Sequence, residues 1–497
     1  MGSDNRTGRG LARRRLSAVH IFFFTVAASA PLTALGGGVT TTFAVTGAVG
    51  VPLSFLVIAV SLALFAVGYA AMSRYVSNAG AFYAYLANGL GRSWGVAASF
   101  VAVIAYNAMQ VGLYGMFGAV VADFMQRKFP GLDLPWWAWV LMAMALIATL
   151  GVLRVDLNAT VLAVLLLLEI FVTALFDLGA FLHPAKDVIT TDGLAPGNLF
   201  GSSVIGSLGI VLALGIAAFT GFESGAIYSE ECRDPRRTVG RATFTAVAFT
   251  GIFYALSAWA LTVAAGPDQV VEQSRQQGPG ILFGLLDQQW GSFIADTANV
   301  LFITSIFAAL LSFHNGVSRY LFALGRERVL PAGLGRTGVG SGAPVAGSLV
   351  QTAIALVTVL VFAVAGRDPV LELFTWLSTM GAAGILLLMI GTSVAVIGYF
   401  RDRDTEETVW QRLIAPAAAT ISLSVMMWFT VANFGTMLGP NQPSFLRWLL
   451  LLLLGGAVIG GLVWGAVLRR IRPQAYEMIG RGALDPLVDE PEIIPVG

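Results

Sequence analysis

Long apolar runs dominate this chain and leave few folds open to it. About twenty apolar residues can cross a bilayer as a helix, because every backbone N–H and C=O then finds its partner inside the segment. Twelve such runs occur, at 17–47, 51–73, 93–124, 135–154, 157–182, 203–231, 239–264, 289–323, 345–365, 370–399, 410–434 and 445–469. Of the 497 residues 57% are hydrophobic and only 11% are charged, with a mean hydropathy of +0.79. Soluble domains carry about 25% charged residues, so too little polar sequence remains here to coat a water-facing surface. The expectation is an all-α polytopic membrane protein; a soluble enzyme, a disordered chain and a disulfide scaffold are excluded. One cysteine, Cys232, permits no intrachain disulfide, and the histidines His20, His183 and His314 are scattered, so no metal or cofactor is expected. A net charge of +1 implies no bulk attraction to nucleic acid.

Orientation follows from the basic residues. With a cytoplasmic N-terminus and twelve spans, 23 of the 29 Lys and Arg fall on the inside. The positive-inside rule therefore places both termini in the cytoplasm and the protein in a cytoplasmic-type (inner) membrane. Five regions are expected: a tail at 1–16, a ten-helix core at 17–399, a loop at 400–409, two accessory helices at 410–469 and a tail at 470–497. Arg13–Arg15 before an apolar run imitates a signal peptide, but Pro31 after Ala28-Ser29-Ala30 should block cleavage, so the first helix is read as retained. The connection 266–288 is the longest external one and has room for a short helix.

Two spans carry helix breakers at mid-depth. The first contains Ser29, Ala30, Pro31 and Leu32, followed by Gly36-Gly37-Gly38; the sixth contains Phe219, Thr220, Gly221, Phe222 and Glu223. Proline removes a hydrogen bond and clashes with the preceding turn, and unwound backbone inside a membrane is tolerated only in protein or beside a wet cavity. Each break alone reads equally as a packing kink. Together they fall in the first and sixth spans, the corresponding positions of two five-helix halves, which is the layout of an inverted-repeat transporter. Broken ends offer N–H groups to an anion and carbonyls to a cation, a pairing suited to an α-amino acid.

Residues 218–224 (AFTGFES) and 230–237 (EECRDPRR) resemble the sixth-helix signature of the amino acid–polyamine–organocation permeases. Residues 319–331 (RYLFALGRERVLP) resemble that family's segment after helix eight, and 78–85 (NAGAFYAY) its loop between helices two and three. The resemblance implies a LeuT-type 5+5 inverted repeat, with broken helices one and six and two extra helices, and alternating-access transport of amino acids or related amines. Two departures stand out. The first break is Ser29-Ala30-Pro31 instead of a glycine-serine-glycine type, and Ala217 falls where arginine/agmatine exchangers place a gating tryptophan.

Intramembrane polar residues supply the remaining candidates. Glu223 reads as a proton-sensing group or as a cap on the restarted half-helix. Glu169, with Asp177 eight residues on, reads as a proton-accepting group or as a carboxylate bonded to neighbouring helices; proton-coupled members of the resembled family commonly carry a lysine one turn earlier, near Leu165. Asn107, Gln110 and Tyr114 share a face of the third span as interhelical glue, with a substrate-facing role open to Asn107. Thr304 and Ser305 read as sodium ligands or as backbone-bonded hydroxyls, and His314 as a proton relay or a packing histidine.

The resulting expectation is a secondary active transporter for an amino acid or small amine, with proton symport ahead of exchange or export. Ser29, Ala30, Pro31, Leu32, Asn107, Phe219, Thr220, Gly221, Phe222 and Phe313 are the expected substrate-binding residues, and Glu223 and Glu169 the proton-coupling ones. A membrane sensor on the same fold, binding without transport, is the alternative of another class. Expected partners are the small-molecule substrate, the proton and the lipid bilayer.

Overall fold

The computed structural model describes residues 16–482 except 77, 154, 203, 339, 340, 440 and 441. Most of both expected tails, 1–15 and 483–497, lies outside the described residues. Among the described residues the only strand-like feature is one bridge, between Leu16 and Cys232; the rest of the regular structure is helical. The long helices are α1 (Ala18–Thr46), α2 (Val51–Ser73), α3 (Arg92–Lys128), α4 (Trp136–Val152), α5 (Val155–Leu182), α6 (Leu208–Glu231), α7 (Pro235–Ala265), α8 (Ser292–Arg326), α9 (Val345–Val364), α10 (Pro369–Arg401), α11 (Trp410–Ala432) and α12 (Leu446–Ile471). Among the described residues eleven are long and apolar enough to cross a membrane. The other, α4, has 17 residues, at the short limit for a crossing. Pro135 and Leu153, both extended, bound it.

The long connection expected at 266–288 holds two helices, Val270–Gln277 and Gly280–Trp290. The start expected at 289 moves to Ser292, because Gly291 (φ 84°) separates α8 from the helix before it. A buried helix, Phe82–Gly89, follows α2. Helices α1, α3, α6, α7 and α10 are the most buried, and α9, α11 and α12 the least. The outer helices present large apolar side chains such as Val364, Trp428 and Leu452. Water would penalise such a surface and lipid would not.

Helix α1 is interrupted. Regular turns end at Ser29, Ala30 is left-handed (φ 44°, ψ 75°), and Pro31 opens the next turn. Proline disfavours the helical region for the residue before it, and at a helix start its missing N–H costs nothing. The restarted helix widens into a π-turn over Ala34–Val39, through the three glycines. Helix α6 is regular to Phe219; Thr220 turns away (φ −54°, ψ 127°) and Gly221 has φ 117°. A tight 3₁₀ helix then runs over Phe222–Glu231. The two interruptions touch. A Cβ on Gly221 would lie 2.7 Å from the Cβ of Ala28 and 2.8 Å from its carbonyl carbon. The Ser29 hydroxyl donates to the Phe219 carbonyl at 3.4 Å.

Gly221 is thus required both by its backbone angle and by the approach of α1. Gly221→Ala should destabilise the protein by at least the ~1–2 kcal/mol of a left-handed residue, read as a lower thermal midpoint in detergent. Gly316→Ala is the control: its nearest neighbour, Ile227 Cδ1, is 3.5 Å from the added Cβ, and the change should be neutral or stabilising.

Candidate functional site

A cavity of about 560 Å³ lies beside the two breaks. Ser29, Ala30, Thr220 and Phe313 line its inner part, Met109, Met116 and Trp376 its walls, and Asp368, Glu372 and Gln442 its mouth. It runs from mid-bundle to the end where α1 finishes and α10 begins. Four of the expected binding residues therefore border it. Pro31, Leu32 and Gly221 shape the breaks but are absent from the lining. Phe219 packs on Phe55 and Tyr254, with ring centroids 6.0 and 5.5 Å away, and Phe222 lies edge-on to Phe65 at 5.9 Å. Both aromatics anchor the α6 break against its neighbours. The Asn107 amide donates to the Val103 carbonyl of its own helix at 2.7 Å and also stands outside the lining. The methionines and Trp376 carry no distinguishing signal in sequence, being apolar residues in apolar spans.

The N–H groups at the breaks end on protein side chains. Leu32 N–H donates to Oε2 of Glu169 at 3.5 Å, and the same oxygen accepts from the Ser305 hydroxyl at 2.7 Å. Thr33 N–H and its hydroxyl reach Ser305 Oγ at 3.3 and 3.0 Å. Glu169 thus ties α5 to the restarted half of α1 and to α8. Among the described residues its Oε1 is buried without a partner. An acidic side chain at the centre of a membrane helix costs about 2.5–3.5 kcal/mol on insertion scales, so this placement is expensive unless it serves a purpose. Thr304 bonds within its own helix, to the Leu301 carbonyl at 2.9 Å; only Ser305 of that pair reaches the break. Glu223 caps the restarted α6: Oε2 accepts from Gly221 N–H at 2.9 Å and Oε1 from the Tyr106 hydroxyl at 2.7 Å. Asp177 accepts from the Ser257 hydroxyl at 2.9 Å.

A separate buried polar group joins α3, α8 and α9. His314 Nε2 meets Ser348 Oγ at 2.7 Å, and the Gln351 amide donates to Gln110 Oε1. None of these four residues lines the cavity, so His314 packs by hydrogen bonding, as one of its two readings held.

The opposite end of the bundle is closed. Arg319 Nε lies 2.5 Å from Oε1 of Glu231, with both side chains buried, and its guanidinium sits 4.8 Å over the Tyr228 ring. Tyr228 stacks on Phe24 at 4.3 Å. Arg326 binds both oxygens of Glu230 at 2.6 and 2.7 Å, and Glu230 also accepts from Ala79 N–H at 3.0 Å. Glu327 gathers four donors: Asn78 Nδ2 (2.8 Å), the Tyr83 hydroxyl (2.5 Å), Gly480 N–H (2.6 Å) and Gly482 N–H (3.2 Å). Burial pushes the Glu327 carboxyl above its usual value, and these donors oppose the shift. The acids and arginines at the ends of α6 and α8 are therefore a closure joining four segments of chain: those two ends, 78–83 and 480–482. Cys232 lies beside it, buried, its thiol pushed up to about 12 by burial and then by Glu231 and Asp234.

A model of the amino acid permease family matches residues 16–458, and the chain belongs to that family. It is also 28% identical over 266 residues to uncharacterized transporters of Mycobacterium tuberculosis (strain ATCC 25618 / H37Rv) and Mycobacterium bovis (strain ATCC BAA-935 / AF2122/97). Those matches cover 51% of this chain and 50% of each relative, so the chain spans about half the length of the curated relatives it matches. The matching family model is that of an amino acid permease, and both relatives are named as transporters.

Two outcomes follow from the closure. Arg319→Ala and Glu231→Ala each strand a buried charge and should cost about 3–5 kcal/mol. The double variant should lose less than the sum, as thermal unfolding in detergent would register. Cys232, the single thiol of the chain, should react slowly with maleimide at neutral pH in the wild type, because thiolate is the reactive form. Glu231→Ala, which removes a negative neighbour of the thiol, should raise that rate severalfold.

Proposed function

We propose that the protein is a secondary active transporter that moves an amino acid or a related small amine by alternating access, coupled to protons through Glu169. The observation that carries this reading is the cavity ending at two touching helix breaks, open at one end of the bundle and closed at the other by buried ion pairs. The basic residues crowd toward the closed end, which the positive-inside rule assigns to the cytoplasm. The conformation described is then outward-facing, in the cytoplasmic membrane, with both termini inside.

In this reading α1 and α6 hold corresponding places in a 5+5 inverted repeat. Substrate rests against Ser29, Ala30, Thr220 and Phe313. Pro31, Leu32, Phe219, Gly221, Phe222 and Asn107 hold the breaks and the third helix in shape. Closure of the mouth over the substrate is accompanied by separation of Glu231 from Arg319 and of Glu230 from Arg326. Glu169 links this motion to the proton because it grips the restarted half of α1 directly. A proton on its carboxyl removes the charge that holds Leu32 N–H and Ser305, which loosens α1 from α5 and α8. Glu223 does the same for α6, through Gly221 and Tyr106.

Reconstituted protein under an imposed pH gradient tests the coupling. Glu169→Gln should lose accumulation driven by the gradient and keep substrate counterflow. Accumulation that persists in this variant would remove Glu169 from the coupling. A wild-type protein that binds substrate without any counterflow would be a sensor.

A further inference from the structure

We propose that the substrate is an organic cation, a primary amine without a carboxylate, carrying a bulky apolar group. This rests on the transporter reading above and narrows it. A zwitterion needs two complements in the cavity, acceptors for its ammonium and donors for its carboxylate. In a broken helix the donors would be the first N–H groups of the restarted half. At the first break they are taken. Pro31 has none, Leu32 N–H goes to Glu169, Thr33 N–H to Ser305, and Ala34 N–H to the Ala30 carbonyl at 2.8 Å. At the second break Gly221 N–H goes to Glu223. At each break an acidic side chain of the protein accepts a backbone N–H group.

The lining offers hydroxyls, such as that of Ser378, and among the described residues no cationic side chain. Among the described residues no Arg, Lys or His borders the cavity; its charged members are Asp368 and Glu372. Arg367 offsets part of that charge through Glu372 Oε1 at 3.1 Å. Two side-chain N–H groups at the mouth are already committed: the Trp376 indole donates to the Leu438 carbonyl at 3.2 Å, and the Gln442 amide to the Gly435 carbonyl at 3.1 Å. The Gln442 side-chain oxygen, an acceptor, is buried there without a partner among the described residues. An ammonium group finds acceptors, negative charge and the aromatic faces of Trp376 and Phe313. A carboxylate finds hydroxyls and two like charges. Met109, Leu113 and Met116 form a wall with no hydrogen-bonding demand, suited to an aliphatic or aromatic body.

Counterflow in proteoliposomes with matched pairs that differ only by the carboxylate decides the matter: phenylethylamine against phenylalanine, isopentylamine against leucine, and cadaverine against lysine. The expected result is exchange of the apolar amines with half-saturation at least tenfold lower than that of their amino acids. Exchange of phenylalanine or leucine as well as or better than the matching amine would overturn the inference and leave the transporter reading standing. Exchange of no member of any pair would overturn both.

Discussion

A backbone N–H group deep in a bilayer must find an acceptor, because no water is there to serve. Breaking α1 and α6 at the same depth creates several such groups at once. The rest of the structure is arranged around satisfying them. Glu169 and Ser305 come from two other helices to meet Leu32 and Thr33, and Glu223 turns back on Gly221. These bonds make the breaks stable, and they also make the helices that supply the acceptors part of the site. A movement of α1 cannot leave α5 or α8 unaffected, since the bonds between them would have to break without replacement by water.

The closed end works by the same rule with charges in place of peptide groups. Glu231 and Arg319 are both almost fully buried, and a buried ion is tolerated when its partner and further hydrogen bonds replace its hydration. Separating them is favourable only if water can follow. In the proposed transport cycle the contact has two arrangements, paired and dry or parted and wet, which is the kind of bistable element an alternating mechanism needs. Glu327 extends this closure to the C-terminal segment, because Gly480 and Gly482 direct their N–H groups at its carboxylate. Both glycines have positive φ, the conformation that turns successive N–H groups toward one anion.

Much of the fold was legible in the chain because membrane insertion depends on local apolar length. The long helices, the proline and glycine positions of the breaks, and the isolated Glu169 and Glu223 all stand out against an apolar background. The span expected at 135–154 is a helix of 17 residues, at the short limit of a crossing. The start of α8, expected at 289, lies at Ser292, because Gly291 ends the preceding helix with a positive φ. The direction of Phe219 and Phe222 was also hidden. On a span that is apolar all round, nothing in the pattern distinguishes a ring that faces a cavity from one that packs on Phe55 or Phe65.

What the sequence determined by itself was the membrane as solvent, the all-helical response to it, and the depth at which two helices cannot continue. Those are properties of short stretches of chain and of the hydrogen bonds each stretch can make alone. Tertiary structure decided who satisfies the broken ends. Leu32 and Glu169 are 137 residues apart, and Arg319 and Glu231 are 88 apart. Their meeting depends on how whole helices pack, and helix packing in lipid follows side-chain shape, which no local pattern of polarity records.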